Sequence, residues 1–176
     1  MSAMTPASFP AESDQPPSIG VVATDGGPVL LGPVSALETW AGSRADGAPE
    51  GDYFEACQAA RHQGTLQRGH ATVMVLPTSV VDVLEPGDGT LWLTLEGMIE
   101  ELWAAREQIV FRSLDRSIEV VAEMALLDAA WPLDAATADS DRFLPLSLRP
   151  GRYALDIGSE SEVRGYFQVL RLRACD

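Results

Sequence analysis

The chain of 176 residues is 46% hydrophobic and carries a net charge of −14, with 26 acidic side chains against 12 basic ones. That length and apolar content suffice for one domain with a real core, and the negative field repels phosphate backbones and anionic membranes, so neither nucleic acid nor a lipid surface is an expected partner. Every basic residue is arginine, which removes the lysine of a P-loop, of a kinase strand and of Schiff-base chemistry, and with it those enzyme classes.

Residues 1–17 place Pro6, Pro10, Pro16 and Pro17 among Ser, Ala and acids and are expected to form a disordered tail. No basic region precedes an apolar run there, so this stretch reads as neither a secretory signal nor a transit peptide. The longest apolar stretch, ATVMVLP at 71–77, is far shorter than the about 20 residues of a membrane span. Cys57 and Cys175 lie far apart in a chain large enough to fold without a staple; the expectation is a cytoplasmic protein with free thiols.

From Ile19, IGVVAT predicts a strand, Asp25, Gly26, Gly27 and Pro28 a turn, and VLLG a returning strand, together a hairpin. PVSALETW predicts a short helix with Pro33 in its first turn and Val34, Leu37 and Trp40 on one face. After a loop, Asp52 is placed to cap a helix running to about Arg61, with Tyr53, Ala56, Cys57 and Ala60 inward. A further loop leads to the strand ATVMVLPT, and a GDG turn leads to TLWLTLE, where Leu91, Leu93 and Leu95 alternate with Trp92 and Thr94. GMIEELWAAREQ has Ile99, Leu102, Trp103 and Arg106 at helical intervals. The stretch 118–126, IEVVAEMAL, fits both periods; we read it as a strand, because QIVFRS before it and the polar LDRS between them resemble two arms of a hairpin. FLPLSL, RYALDI and YFQVLRLR then predict three antiparallel strands separated by turns. The sum is an α+β fold, mostly antiparallel sheet with a few short helices. A single domain is expected over 18–176, with an N-terminal α+β lobe to about 96 and a β-rich lobe from 97.

The segments GGPVLLGPVSALETWAGS, DYFEACQA, VMVLPT and DGTLWL resemble the immunity-protein-21 family of bacterial polymorphic toxin systems over about residues 19–96. The resemblance rests on Gly26, Gly27, Pro28, Trp40, Gly42, Asp52, Tyr53, Ala56 and Cys57. It implies a cytoplasmic protein that protects the producing cell by binding a cognate toxin. Towards the C-terminus, the LRPGRYALDI hairpin is similar to the closing strands of β-sandwich inhibitors.

Asp52, Cys57 and either His62 or His70 supply the groups of a thiol nucleophile with base and orienter, but their spacing carries no mechanical signature. A cysteine on the inner face of a short helix is normally a small hydrophobe, so the expected reading of GDYFEACQAA is a packed corner. Two histidines and two distant cysteines give no zinc pattern, and Asp134, Asp139, Ser140 and Asp141 lack the ordered calcium loop and read as a solvated acidic loop. Adjacent helical residues such as Glu100 and Glu101 point about 100° apart and cannot flank one bond. No catalytic residue, metal or cofactor is expected.

What remains is charge. From Asp82 to Asp141 there are fourteen carboxylates against Arg106, Arg112 and Arg116. Within this band Glu96, Glu100, Glu101, Glu107, Asp134, Asp139 and Asp141 are the expected toxin-binding residues, meeting the arginines and lysines of a basic, nuclease-like toxin and inhibiting it by occlusion. Trp92, Trp103 and Trp131 are read either as aromatic anchors beside the band or as core. Two alternatives stay open: a small thiol-dependent hydrolase using Cys57, and a β-sandwich ligand-binding or scaffold module with a concave aromatic cleft.

Overall fold

Apolar residues alternate along the strands, and that alternation builds two antiparallel sheets whose inner faces meet. The computed structural model describes residues 15–43, 51–62, 64–159 and 168–175. The larger sheet contains β1 (Ser18–Ala23), β5 (Val80–Leu84), β6 (Thr90–Glu96), β7 (Val110–Val120), β10 (Gly151–Ser159) and β11 (Gln168–Ala174), in the order β1-β5-β6-β11-β10-β7. The smaller contains β2 (Val29–Pro33), β3 (Thr65–Arg68), β4 (Ala71–Leu76), β8 (Met124–Asp128) and β9 (Phe143–Leu146), in the order β3-β4-β2-β8-β9. Four short helices, α1 (Val34–Leu37), α2 (Asp52–Ala60), α3 (Ile99–Ala104) and α4 (Leu133–Ala136), and a 3-10 turn at Arg106–Gln108 complete the described elements of an α+β protein rich in sheet.

Three apolar clusters define the layers. Between the sheets, Val22, Val83, Leu93, Leu155 and Leu172 of the larger meet Leu31 and Leu126 of the smaller. On the outer face of the smaller sheet, Leu30, Val73, Val75 and Leu127 are covered by Leu37 and Trp40 of the α1 region, Ala56 of α2 and Ala136 of α4. On the outer face of the larger sheet, Leu84, Trp92 and Val169 are covered by Leu102 of α3. Sheets buried on both faces explain why VLLG, TLWLT and MALLD read as continuous apolar runs. Each fully buried leucine contributes about 1.5–3 kcal/mol relative to exposure.

The strand assignments hold better than their pairing. The expected hairpin over 19–32 does not form: β1 pairs with β5, matching Val22 with Val81, while β2 pairs with β4 and β8 in the other sheet. The connection between them crosses from sheet to sheet and is stapled by Thr24, whose Oγ1 donates to the Gly27 carbonyl at 2.7 Å and accepts the Gly27 N–H at 3.0 Å. Residues 110–120 form one strand through LDRS, not two arms of a hairpin; Asp115 bulges out at φ 51, where the β10 register shifts between Leu155 and Asp156. The stretch 118–126 is strand at both ends, broken at 121–123, and β8 belongs to the opposite sheet. Likewise β9 pairs with β8, whereas β10 lies between β11 and β7. Strands β3 and β5 were not anticipated. Each sheet draws on strands before and after residue 97, so the two expected lobes interlock. Most of the expected N-terminal tail, residues 1–14, lies outside the described residues.

Candidate functional site

Gly27, Trp40, Gly42, Asp52, Tyr53, Ala56 and Cys57 lie at one corner of the smaller sheet. Trp40 is buried there; its Nε1–H donates to the Ala129 carbonyl at 2.8 Å, and the Arg68 guanidinium lies 5.1 Å over its ring. Arg68 in turn pairs with Asp52 at 3.1 Å and Glu55 at 2.8 Å. Asp52 does not cap its own helix: Gly51 is the N-cap, and Asp52 Oδ2 accepts the Ala41 N–H at 2.7 Å, tying the segment after Trp40 to α2. The Ala129 N–H donates to the carbonyl of Pro28 at 3.2 Å. Gly26 takes φ +101 in the crossing turn, and a Cβ on Gly27 would stand 2.7 Å from the Tyr53 ring. Ala56 is fully buried against the sheet.

Cys57 is half-buried next to Tyr53. The Tyr53 hydroxyl is pushed above its ordinary value, first by burial, then by its hydrogen bond with Cys57 and by the charges of Cys57 and Asp128. Asp52 is therefore engaged by Arg68 and Ala41, and Cys57 by Tyr53. His62 follows the end of α2 and His70 lies in the turn from β3 to β4. Among the described residues, no hydrogen bond assembles Asp52, Cys57 and either histidine.

Gly42 is the tightest point of this corner. It adopts φ +63, and a Cβ there would stand 2.6 Å from the Ala130 carbonyl oxygen. Gly42→Ala should lose about 1–3 kcal/mol to backbone strain, before any cost of the clash. The check is a lowered urea midpoint at unchanged slope.

The acidic band divides. Glu96 ends β6, Glu100 and Glu101 occupy the first turn of α3, and Glu107 lies in the 3-10 turn Arg106–Gln108. All four are exposed, as is Met98, which precedes α3 and is 59% accessible. Asp82 of β5 belongs to the same group: its carboxyl is pushed up by burial, held down in part by a hydrogen bond from Thr94, and pushed up again by the charge of Glu100. No ion pair among the described residues engages Asp82, Glu96, Glu100, Glu101 or Glu107.

Asp134, Asp139 and Asp141 lie elsewhere. Asp134 is in α4, which covers the outer face of the smaller sheet, so two sheets stacked about 10 Å apart separate it from α3. Asp134 is thus helical, not part of a loop, and its Oδ1 accepts the Ala135 N–H at 2.9 Å. Asp139 and Asp141 sit in the turn between α4 and β9. Asp139 stands 3.9 Å from Arg142 and accepts the Asp141 N–H, and the Asp141 carbonyl accepts the Ala23 N–H. Of the seven expected toxin-binding residues, Glu96, Glu100, Glu101 and Glu107 thus lie on β6, α3 and the 3-10 turn that follows it, whereas Asp134, Asp139 and Asp141 lie on and after α4, on the other outer face.

The tryptophans divide too. Trp92 is core, tilted against Phe111 at 5.2 Å and edge-on to Trp103 at 6.3 Å. Trp103 is half-buried with the Arg106 guanidinium 4.7 Å over its ring. Trp131 is 39% accessible and stacks with Arg142, on the α4 side.

Sequence reasoning missed two buried ion-pair centres. Asp128, fully buried, receives Arg142 at 2.7 Å and the Ala130 N–H at 2.9 Å. Asp156 of β10 receives Arg171 at 2.8 Å and Arg173 at 3.4 Å, both from β11. The available signal was a lone acid inside an otherwise apolar strand, as in MALLD and RYALDI. Comparison of the chain with protein-family models, with curated proteins and with solved structures gives no match.

Proposed function

We propose that the chain is an immunity protein that binds a basic, nuclease-like toxin in the cytoplasm and occludes it, and that the contact face is the α3 side: Asp82, Glu96, Glu100, Glu101 and Glu107 around Met98. The observation that carries this reading is that the carboxylates preceding and following the exposed Met98 in sequence have no ion-pair partner among the described residues, and that the charge of Glu100 reaches the Asp82 carboxyl. Like charges held together raise the energy of the free protein, and docking lysines or arginines relieves it. Exposed carboxylates steer a cationic partner and set its salt dependence, while Met98 offers flexible apolar contact at their centre. The motif corner, engaged in holding Trp40 and α2 against the smaller sheet, gives the reading its second support through the family resemblance.

The test is co-expression with the C-terminal domain of the protein encoded beside this chain. The reading expects that domain to arrest growth, this chain to relieve the arrest, and the two to co-elute at low salt and separate as salt rises. A neighbouring protein that does no harm to the cell, or relief that persists without any complex, removes it.

Asp82 gives a check in the free protein. Its folded pKa lies above the ordinary 3.8, so the native state binds more protons than the unfolded chain between those two values, and stability falls as pH rises through that window. Asp82→Asn should therefore stabilise the protein at neutral pH, and the gain should vanish once the carboxyl is protonated in both states. Urea unfolding at acid and neutral pH reads the difference.

A further inference from the structure

The α3 helix leaves part of the larger sheet's outer face uncovered. Leu102 packs with Leu84, Trp92 and Val169, which belong to β5, β6 and β11, while β1 borders β5 at the edge of the sheet. Directly opposed residues share a face, and neighbours along a strand alternate. Val22 and Val81 oppose each other inside the core between the sheets, so the next pairs along the ladder, Val21 with Asp82 and Ala23 with Val80, turn outward. Val80 is 45% accessible, and Val21 and Ala23 are half-buried.

This apolar trio adjoins the acids of the α3 side. Val21 stands directly across from Asp82, and Val80 precedes Asp82 by two residues on the same face. The Asp82 N–H donates to Thr94 Oγ1 at 2.8 Å, which carries the surface on to β6. β5 and β6 run antiparallel, matching Val83 with Leu93 and Leu84 with Trp92, so the start of β5 and the end of β6 share one end of the sheet. Val80 therefore lies at the end where Glu96 and Met98 emerge.

The bordering carboxylates decide what can cover these side chains. A second copy of the chain docking through the same patch would set Asp82 and Glu96 against like charges, and an anionic lipid surface would be repelled. A basic protein is drawn in by the same charges, and burying the trio then adds the dehydrated contact that slows its departure. On the footing of the immunity reading, we infer that the toxin contact extends across Asp82 onto Val21, Ala23 and Val80, and that the toxin meets it with an aliphatic or aromatic side chain flanked by lysines or arginines.

The test is surface plasmon resonance of the whole chain on the immobilised C-terminal domain of the protein encoded beside it. Val80→Glu separates two ways of holding a basic partner. A face that works by charge alone gains from one more carboxylate and binds tighter. The inferred face loses its apolar contact and should bind about tenfold more weakly, in a faster dissociation that persists at high salt. Val80→Thr keeps the β-branched shape suited to a strand and should weaken binding about threefold, since a hydroxyl replaces a methyl buried in the complex. Val80 is exposed in the free chain, so both variants should melt within a few degrees of the parent, and Val80→Thr decides if Val80→Glu does not fold. Binding by either folded variant as tight as the parent's, or tighter, overturns the inference while the immunity reading stands. A parent chain that forms no complex with the domain removes both.

Discussion

Arg142→Met should cost about 3–5 kcal/mol and lower the melting temperature by about 10 °C, because it leaves the fully buried Asp128 carboxylate without its cation. Arg142 is only 17% accessible, and besides Asp128 it reaches Asp25 at 3.0 Å and the Ala23 carbonyl at 3.1 Å. It thus ties the end of β1, the crossing turn and β8 into one unit. Burial works against its charge, but Asp128 and Asp25 outweigh burial and hold the guanidinium more firmly protonated than usual. The contrast is Asp25→Ala: that carboxylate is 82% accessible, and an exposed pair contributes about 0–1 kcal/mol. Urea unfolding of both variants decides the matter; equal midpoints would mean that the buried pair has no special weight.

Reversing Glu100, Glu101 and Glu107 to lysine should weaken capture of the co-encoded toxin domain at least about 100-fold, since each site exchanges an attraction for a repulsion and each 1.4 kcal/mol is a factor of ten. All three are exposed, so the melting temperature should stay within a few degrees of the parent. Asp134→Lys, across the sandwich, should leave affinity within about twofold. Surface plasmon resonance at two salt concentrations separates the effects: the triple variant should also lose the salt dependence of association, because exposed charges are screened beyond about 8 Å at physiological ionic strength. Equal losses from Asp134→Lys and the triple variant would return the contact to the undivided band.

The strand character of 18–23, 71–76, 90–96, 143–146, 151–159 and 168–174 was legible, as were the helices at 52–60 and 99–104, since period and turn residues act locally. Partnering was not. Nothing in IGVVAT states that Val22 faces Val81, nearly sixty residues on, and not the VLLG run that follows it. LDRS read as a turn because β7 is an edge strand whose polar residues meet solvent and whose Asp115 accepts a positive φ that most residues avoid. Asp52 was legible as a structural member of its corner but was assigned as the cap of its own helix, when its partners are Ala41 and Arg68. The acids of the candidate site were legible by type; their grouping was not, because α3 and α4 are near in sequence and on opposite outer faces.

The position of β11 bears on how the protein is made. It follows every other strand of the larger sheet in sequence, yet it sits inside that sheet, between β6 and β10. The facing ladder edges of β6 and β10 therefore stay unzipped until β11, later in the sequence than both, pairs with them. Loss of β11 would thus open a gap in the middle of the sheet, parting its two halves, where loss of an outer strand would only fray its border.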